Sequence, residues 1–282
     1  MSNGEIELIA TSDVGPRIIH CGFTGERNLF QIFNSQAGKT GEPWWQIRGG
    51  HRLWIAPEAV PDTYALDNNP VQVNTTNDTL TLRAEREAET ELRKQISITM
   101  SEDGQITVVH QIENTGPKPR RFAPWALTVM APGGTAIAAF PPRGSHEEFL
   151  LPTNPISMWA YTDFSDPRWR FTKNYLMLTC DEKATTPQKA GIFHPQSFCG
   201  YLLGSYLFTK RYTATPGAAY PDFHSSVELF TNHEFLELET LGPVADVIPD
   251  TVISHVERWS LHRDVTITNF DDAKLDGVLA TI

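Results

Sequence analysis

Two segments of this 282-residue chain gather side chains able to do chemistry. The first is Arg48-Gly49-Gly50-His51-Arg52-Leu53-Trp54-Ile55-Ala56-Pro57-Glu58. A Gly-Gly pair lets backbone approach a ligand closely. The guanidinium forks of Arg48 and Arg52 suit carboxylate, phosphate or paired hydroxyls. His51 is of a type that titrates near neutrality, Trp54 offers a flat face on which a sugar can stack, and Glu58 adds a carboxylate. The same string also reads as a Gly-Gly turn with solvated arginines and a core tryptophan. Spacing alone leaves both readings open.

The second segment runs from Ser226 to Pro243, with Asp222 and His224 just before it. Alternating apolar runs flank the polar break Thr231–Glu234, which predicts two strands joined by a tight turn. Alternation puts Glu228 and Phe230 on one face and Val227 and Leu229 on the other; Glu237 and Glu239 oppose Leu236 and Leu238 in the same way. A carboxylate is costly in a dry core, so these glutamates face water, a cationic partner or a polar pocket. A solvated acidic strand face satisfies the pattern; so does a site in which His224 shuttles protons beside Glu228. The predicted catalytic set is His51, His224, Glu228 and Glu239. The predicted binding set is Arg48, Arg52, Trp54, Glu58 and Trp125.

The remaining histidines are scattered. No His-x-His or His-Glu-x-x-His spacing occurs, so no metal is predicted, and His110 and His255 read as satisfied sheet residues. Nucleotide-binding loops and the Gly-x-Ser-x-Gly elbow are missing too, and no cofactor is predicted. Cys21, Cys180 and Cys199 lack disulfide or zinc spacing and read as inert thiols in a reducing cytoplasm. With 23 basic against 34 acidic residues the formal charge is −11, which disfavours nucleic acid and anionic membranes as partners. No stretch approaches the length of a membrane span, and Met1–Glu5 has no secretory character.

These residues need a scaffold, and the chain predicts an all-β one. Twenty prolines and nineteen glycines leave little room for long helices. Strand-like runs recur at Ile6–Ala10, Arg17–Phe23, Thr79–Glu85, Glu91–Met100, Gln105–Glu113, Phe122–Met130, Tyr175–Cys180, Gly200–Tyr212, Val227–Phe230, Phe235–Thr240 and Val252–His262. Ser101-Glu102-Asp103-Gly104 marks a hairpin. Two aromatic loop zones, 34–69 and 140–173, are too rich in tryptophan for disorder and are expected to cover one side of a sheet. A single β-sandwich domain spanning 1–282 is expected.

The chain resembles the galactose mutarotase-like group, which includes aldose 1-epimerases and hexose-6-phosphate mutarotases. The resemblance rests on Gly15-Pro16-Arg17-Ile18-Ile19 with Glu26-Arg27-Asn28-Leu29-Phe30, on Arg48-Gly49-Gly50, and on Ile112-Glu113-Asn114-Thr115-Gly116-Pro117-Lys118-Pro119. It continues through Val227-Glu228-Leu229-Phe230-Thr231-Asn232 and the closing Ile248-Pro249-Asp250-Thr251 to Glu257-Arg258-Trp259-Ser260-Leu261. It implies a large antiparallel supersandwich, a carbohydrate partner in a concave cleft, and anomer interconversion by an acid and a base. The group's histidine after the Asn-Thr-Gly turn has no counterpart in Arg121–Thr128, and Asp250 is the only acid near the position of its glutamate. The resemblance therefore leaves three readings: an epimerase with a relocated acid–base pair, a non-catalytic sugar-binding protein, and a lyase or hydrolase acting on uronic acids.

Overall fold

The computed structural model describes residues 1–215 and 217–281, and the side chains of all of these except 196 and 197. The first half of the chain carries β1 (Ile6–Ala10), β2 (Arg17–Phe23), β3 (Gly50–Ala56), β4 (Gln72–Thr75), β5 (Thr79–Arg83), β6 (Leu92–Met100), β7 (Ile106–Asn114), β8 (Arg120–Met130) and β9 (Thr135–Ala139). The second half carries β10 (Ile156–Met158), β11 (Trp169–Phe171), β12 (Tyr175–Thr179), β13 (Gln188–Ile192), β14 (Gln196–Leu203) and β15 (Tyr206–Thr213). It ends with β16 (Val227–Thr231), β17 (Leu236–Leu241), β18 (Ala245–Val247) and β19 (Val252–His262).

These strands form two large antiparallel sheets. The first has the order β1-β2-β3-β8-β17-β16-β13-β10, with β18 paired to the start of β8; the second runs β11-β12-β9-β14-β15-β19-β7-β6-β5-β4. The main core lies between them, where Leu236, Leu238, Val227 and Leu229 of the first sheet join Ile96, Val108, Phe208 and Trp259 of the second. All-β sandwich architecture follows from the sequence pattern for a simple reason. Strands β6 and β7 alternate buried and half-buried residues along their whole length, so one face meets the core and the other meets water.

Strands β3 and β17 behave differently. Every residue of both is buried. The outer face of the first sheet is therefore covered, and β3 itself lies within the zone read from sequence as loop. The 140–173 zone likewise contributes the short strands β10 and β11. The run Gly200–Tyr212, expected as one strand, is a hairpin. Leu203 pairs with Tyr206 across Gly204-Ser205, and Gly204 takes the positive φ that the two-residue turn demands. A short helix, Asp272–Leu279, starts where the Asp271 side chain accepts a hydrogen bond from the Lys274 backbone. No described helix is long and apolar enough to cross a membrane.

Candidate functional site

Register assembles a polar cluster on the outer face of the first sheet. Arg52 of β3 lies opposite Leu127 of β8, Leu127 opposite Glu239 of β17, and Glu239 opposite Glu228 of β16. One row along, Trp54 pairs with Trp125, and Trp125 with Leu241. On the other side, Val129 sits opposite Glu237, Glu237 opposite Phe230, and Phe230 opposite Lys189 of β13. Period-two alternation thus aims Arg52, Trp54, Trp125, Glu228, Glu237, Glu239 and Lys189 to the same side.

Charge pairing within this cluster is dense. Arg52 Nη2 is 2.8 Å from Glu237 Oε1, and its guanidinium carbon lies 4.3 Å from the Trp54 ring centre and 5.2 Å from that of Trp45. Lys189 Nζ is 2.9 Å from both Glu228 Oε2 and Glu239 Oε2. Those two oxygens are consequently held close together by one shared ammonium. Trp125 donates its Nε1 proton to Glu239 Oε2 at 2.9 Å. The Lys189 ammonium lies 4.7 Å from the Trp125 ring centre and 4.6 Å from that of Trp159, so the loop zones supply its aromatic cover.

Burial sets the protonation of this group. It pushes the Glu228 carboxyl well above the usual carboxylate range; Lys189 opposes the shift and Glu239 adds to it. Burial raises Glu237 as well, against the pull of Arg52. Burial works against charge on Lys189, but Glu228 and Glu239 outweigh it and hold the ammonium above its ordinary value. Tyr161, within electrostatic reach of Lys189, Glu239, Glu58 and Glu228, is pushed up to about 12, chiefly by burial. Six polar atoms here are sealed from water without a hydrogen-bond partner: Arg52 Nε and Nη1, both Glu228 oxygens, Glu237 Oε1 and Glu239 Oε1; of these, Glu228 Oε2 and Glu237 Oε1 are held in ion pairs with Lys189 and Arg52.

His51 is elsewhere. One residue before Arg52 on β3, it projects from the opposite face into the space between the sheets. There it meets His110 of β7 and His255 and Glu257 of β19, the partner strand of β7. Hydrogen-bond directions fix the tautomers. His110 Nδ1 donates to the His255 carbonyl at 3.0 Å, so its Nε2 accepts from His51 Nε2 at 2.7 Å, and His51 Nδ1 accepts from the Thr128 hydroxyl at 2.8 Å. Burial drives His51 and His110 below the usual imidazole range and His255 down to about 3, against the attraction of Glu257. Burial alone would raise Glu257, but Lys210, 2.9 Å from its Oε1, and the three imidazoles hold it well below the ordinary range. Thr240 and Trp259 also donate to Glu257.

The side chains of His51, His110 and Glu257 are close enough together to ligate one ion. Charge argues against such use. Lys210 already neutralises Glu257, so a divalent cation would leave two uncompensated positive charges in a dry interior.

The remaining predicted site residues are dispersed. Arg48 is a buried staple: its guanidinium binds the Gln36 and Lys39 carbonyls, Glu42 and Asn68. With Arg17, which binds the Ile47 and Gly49 carbonyls and Asp67, it shapes the loop that carries Trp45. His224 packs on Phe193 and Tyr220 in a turn beyond β13. Glu58 sits exposed at the rim and accepts a hydrogen bond from Tyr64, which packs on Trp45 and Trp54. Asp250 is exposed in the turn before β19. The expected grouping therefore needs correction: Arg52, Trp54, Trp125, Glu228 and Glu239 converge, with Glu58 at their rim, while His51, Arg48 and His224 lie apart. Sequence reading missed Lys189. It occupies Gln-Lys-Ala-Gly-Ile, which has no strand-like alternation; a lone lysine opposite an acidic hairpin was the only available signal.

No protein-family profile and no curated protein sequence matches this chain. Solved structures do. A galactose mutarotase-like protein from Lactobacillus casei superposes with a TM-score of 0.62 at 10% identity, covering 93% of this chain and 99% of the other. A galactose mutarotase related enzyme from Lactobacillus acidophilus gives 0.60 at 7% identity, covering 96% and 99%. A protein of Synechocystis sp. PCC 6803 gives 0.58 at 13% identity, covering 92% and 95%. The chain thus has the galactose mutarotase-like fold over nearly its whole length.

Proposed function

We propose that this protein is a carbohydrate-active protein of aldose-epimerase type, working as one domain, with its site on the outer face of the first sheet around Arg52, Trp54, Trp125, Lys189, Glu228 and Glu239. One observation carries the reading. Two buried donors on Arg52 and the Oε1 acceptors of Glu228 and Glu239 lack hydrogen-bond partners beside the edge-to-face indole rings of Trp54 and Trp125. A sugar hydroxyl both donates and accepts, and a pyranose offers an apolar C–H face to an aromatic ring. A polyol therefore satisfies what the protein leaves open. The fold shared with galactose mutarotase-like proteins supports the same reading.

In the catalytic form of this reading, Glu228 in its carboxylic-acid form protonates the ring oxygen of a hexopyranose, and Glu239 accepts the proton of the anomeric hydroxyl. The C1–O5 bond breaks to give the open-chain aldehyde. Rotation about C1–C2 and the reverse proton transfers close the ring as the other anomer. Lys189, bridging both carboxyl groups, positions them. Trp159 and Tyr161 cover this floor and must swing aside to admit a ligand.

Polarimetry and exchange NMR on freshly dissolved α-glucose and α-galactose test the proposal. Accelerated anomer interconversion is expected. No acceleration, together with a tryptophan fluorescence change on sugar addition, would reduce the protein to a binding module. No acceleration and no binding of either sugar would end the carbohydrate reading.

A further inference from the structure

Resting on that reading, we infer that the site is built for an amino-substituted sugar, whose ammonium group meets Glu58 at the rim, and that it discriminates against sugar phosphates and uronates. The charge inventory leads there. Four carboxyl side chains, Glu58, Glu228, Glu237 and Glu239, surround two cations, Arg52 and Lys189. Each cation is already paired: Arg52 with Glu237, Lys189 with both Glu228 and Glu239. Arg17, further along the same face, is neutralised by Asp67 at 2.6 Å. The four carboxyl side chains thus outnumber the two cations among them two to one.

An anionic ligand entering here meets no unpaired cation among these side chains, and like-charge juxtaposition in a desolvated site is costly. Glu58 is the complement of this deficit. Among the described residues it forms no ion pair with a cation. It lies at solvent, held by the Tyr64 hydroxyl, and Tyr64 packs on the Trp45 and Trp54 rings that line the same hollow. Tyr161, from the covering loop, stands within electrostatic reach of Glu58, Glu228 and Glu239 together. The buried donors and acceptors without hydrogen-bond partners on Arg52, Glu228 and Glu239 are the groups that a hydroxylated guest would satisfy. The Glu58 carboxylate at the rim adds a cationic preference.

Tryptophan fluorescence titrations with D-glucosamine, D-glucose and D-glucose 6-phosphate, at low and high sodium chloride, test this. Glucosamine is expected to bind about two- to fivefold more tightly than glucose, the scale of one partly exposed ion pair. The advantage should shrink as salt rises, and the phosphate ester should bind about tenfold or more weakly than glucose. Glu58→Gln should erase the difference between glucosamine and glucose. Equal or weaker glucosamine binding, a salt-insensitive preference, or phosphate binding on a par with glucose would each overturn the inference while leaving the carbohydrate reading intact. Failure of all three ligands to bind would instead remove the reading on which it rests.

Discussion

The two sides of β3 hold two polar clusters of similar composition and opposite finish. Between the sheets, His51, His110, His255, Glu257 and Lys210 form a neutral group in which none of the buried side-chain nitrogens and oxygens lacks a partner. On the outer face, Arg52, Glu228, Glu237, Glu239 and Lys189 are as deeply buried, yet polar atoms are left over. A buried polar group without a partner costs about 1–3 kcal/mol. A network that closes on itself is a structural solution; a network left open implies that something else completes it. Burial and charge alone would have ranked the two clusters equally, and residue type would have favoured the inner one, since imidazoles are the commoner proton carriers.

The contrast breaks most sharply at Glu257. If the inner cluster is purely structural, Glu257→Gln strands the Lys210 ammonium and should cost about 3–5 kcal/mol of unfolding free energy by chemical denaturation. The double variant Glu257→Gln with Lys210→Met should recover a good part of that loss. A fully folded single variant of unchanged stability would mean that the inner pair is not the charge compensation described.

On the outer face, Glu228→Gln should leave the fold intact and lower anomerase turnover by about a hundredfold or more, the usual scale for losing a general acid. Exchange NMR measures it directly, and unchanged turnover would move the acid elsewhere.

Acid and base should separate the clusters by sign. The buried imidazoles have lowered folded-state values, so the unfolded chain takes up protons first. Stability should then fall as pH drops below about 6.5, at up to about 1.4 kcal/mol per pH unit for each imidazole, with His255 contributing down to about 3. Glu228 is raised, so its contribution is complete below about 4.5 and is lost as pH climbs toward its folded value. Unfolding curves across pH for the native chain and for Glu228→Gln resolve the two; only the second trend should vanish in the variant. The smallest effect belongs to Trp125→Phe, which keeps the stacking ring but removes the proton donated to Glu239. It should weaken sugar binding by about 1 kcal/mol, the worth of one hydrogen bond, in a fluorescence or NMR titration.

Much of this was legible before any coordinates. Alternation in Val227–Phe230 and Phe235–Thr240 already grouped Glu228 with Phe230 and set Glu237 and Glu239 against Leu236 and Leu238, and the sheet obeys it. What resisted reading was β3. Its composition, with a Gly-Gly entry and three charged or aromatic polar residues, does not alternate in hydropathy because each face carries both polar and apolar residues, His51 with Leu53 and Ile55 on one and Arg52 with Trp54 and Ala56 on the other, so it passed for loop. Once its extended conformation is known, the adjacency of His51 and Arg52 forces them apart. The Asn114 turn shows a related limit. Its side chain donates to the Lys118 and Val247 carbonyls and accepts from the Gly116 backbone, so a motif that signalled kinship serves chain reversal, and the chemistry nearby is not tied to it.

Because one ribbon is shared by both compartments, the inner imidazoles are placed to report on events at the outer face. Any guest that tugs Arg52 or Trp54 also strains the backbone carrying His51, whose ring nitrogen sits 2.7 Å from its neighbour in His110. Their downfield ring-proton resonances would register occupancy of the proposed site from the dry side of the sheet, with no label introduced on the outer face.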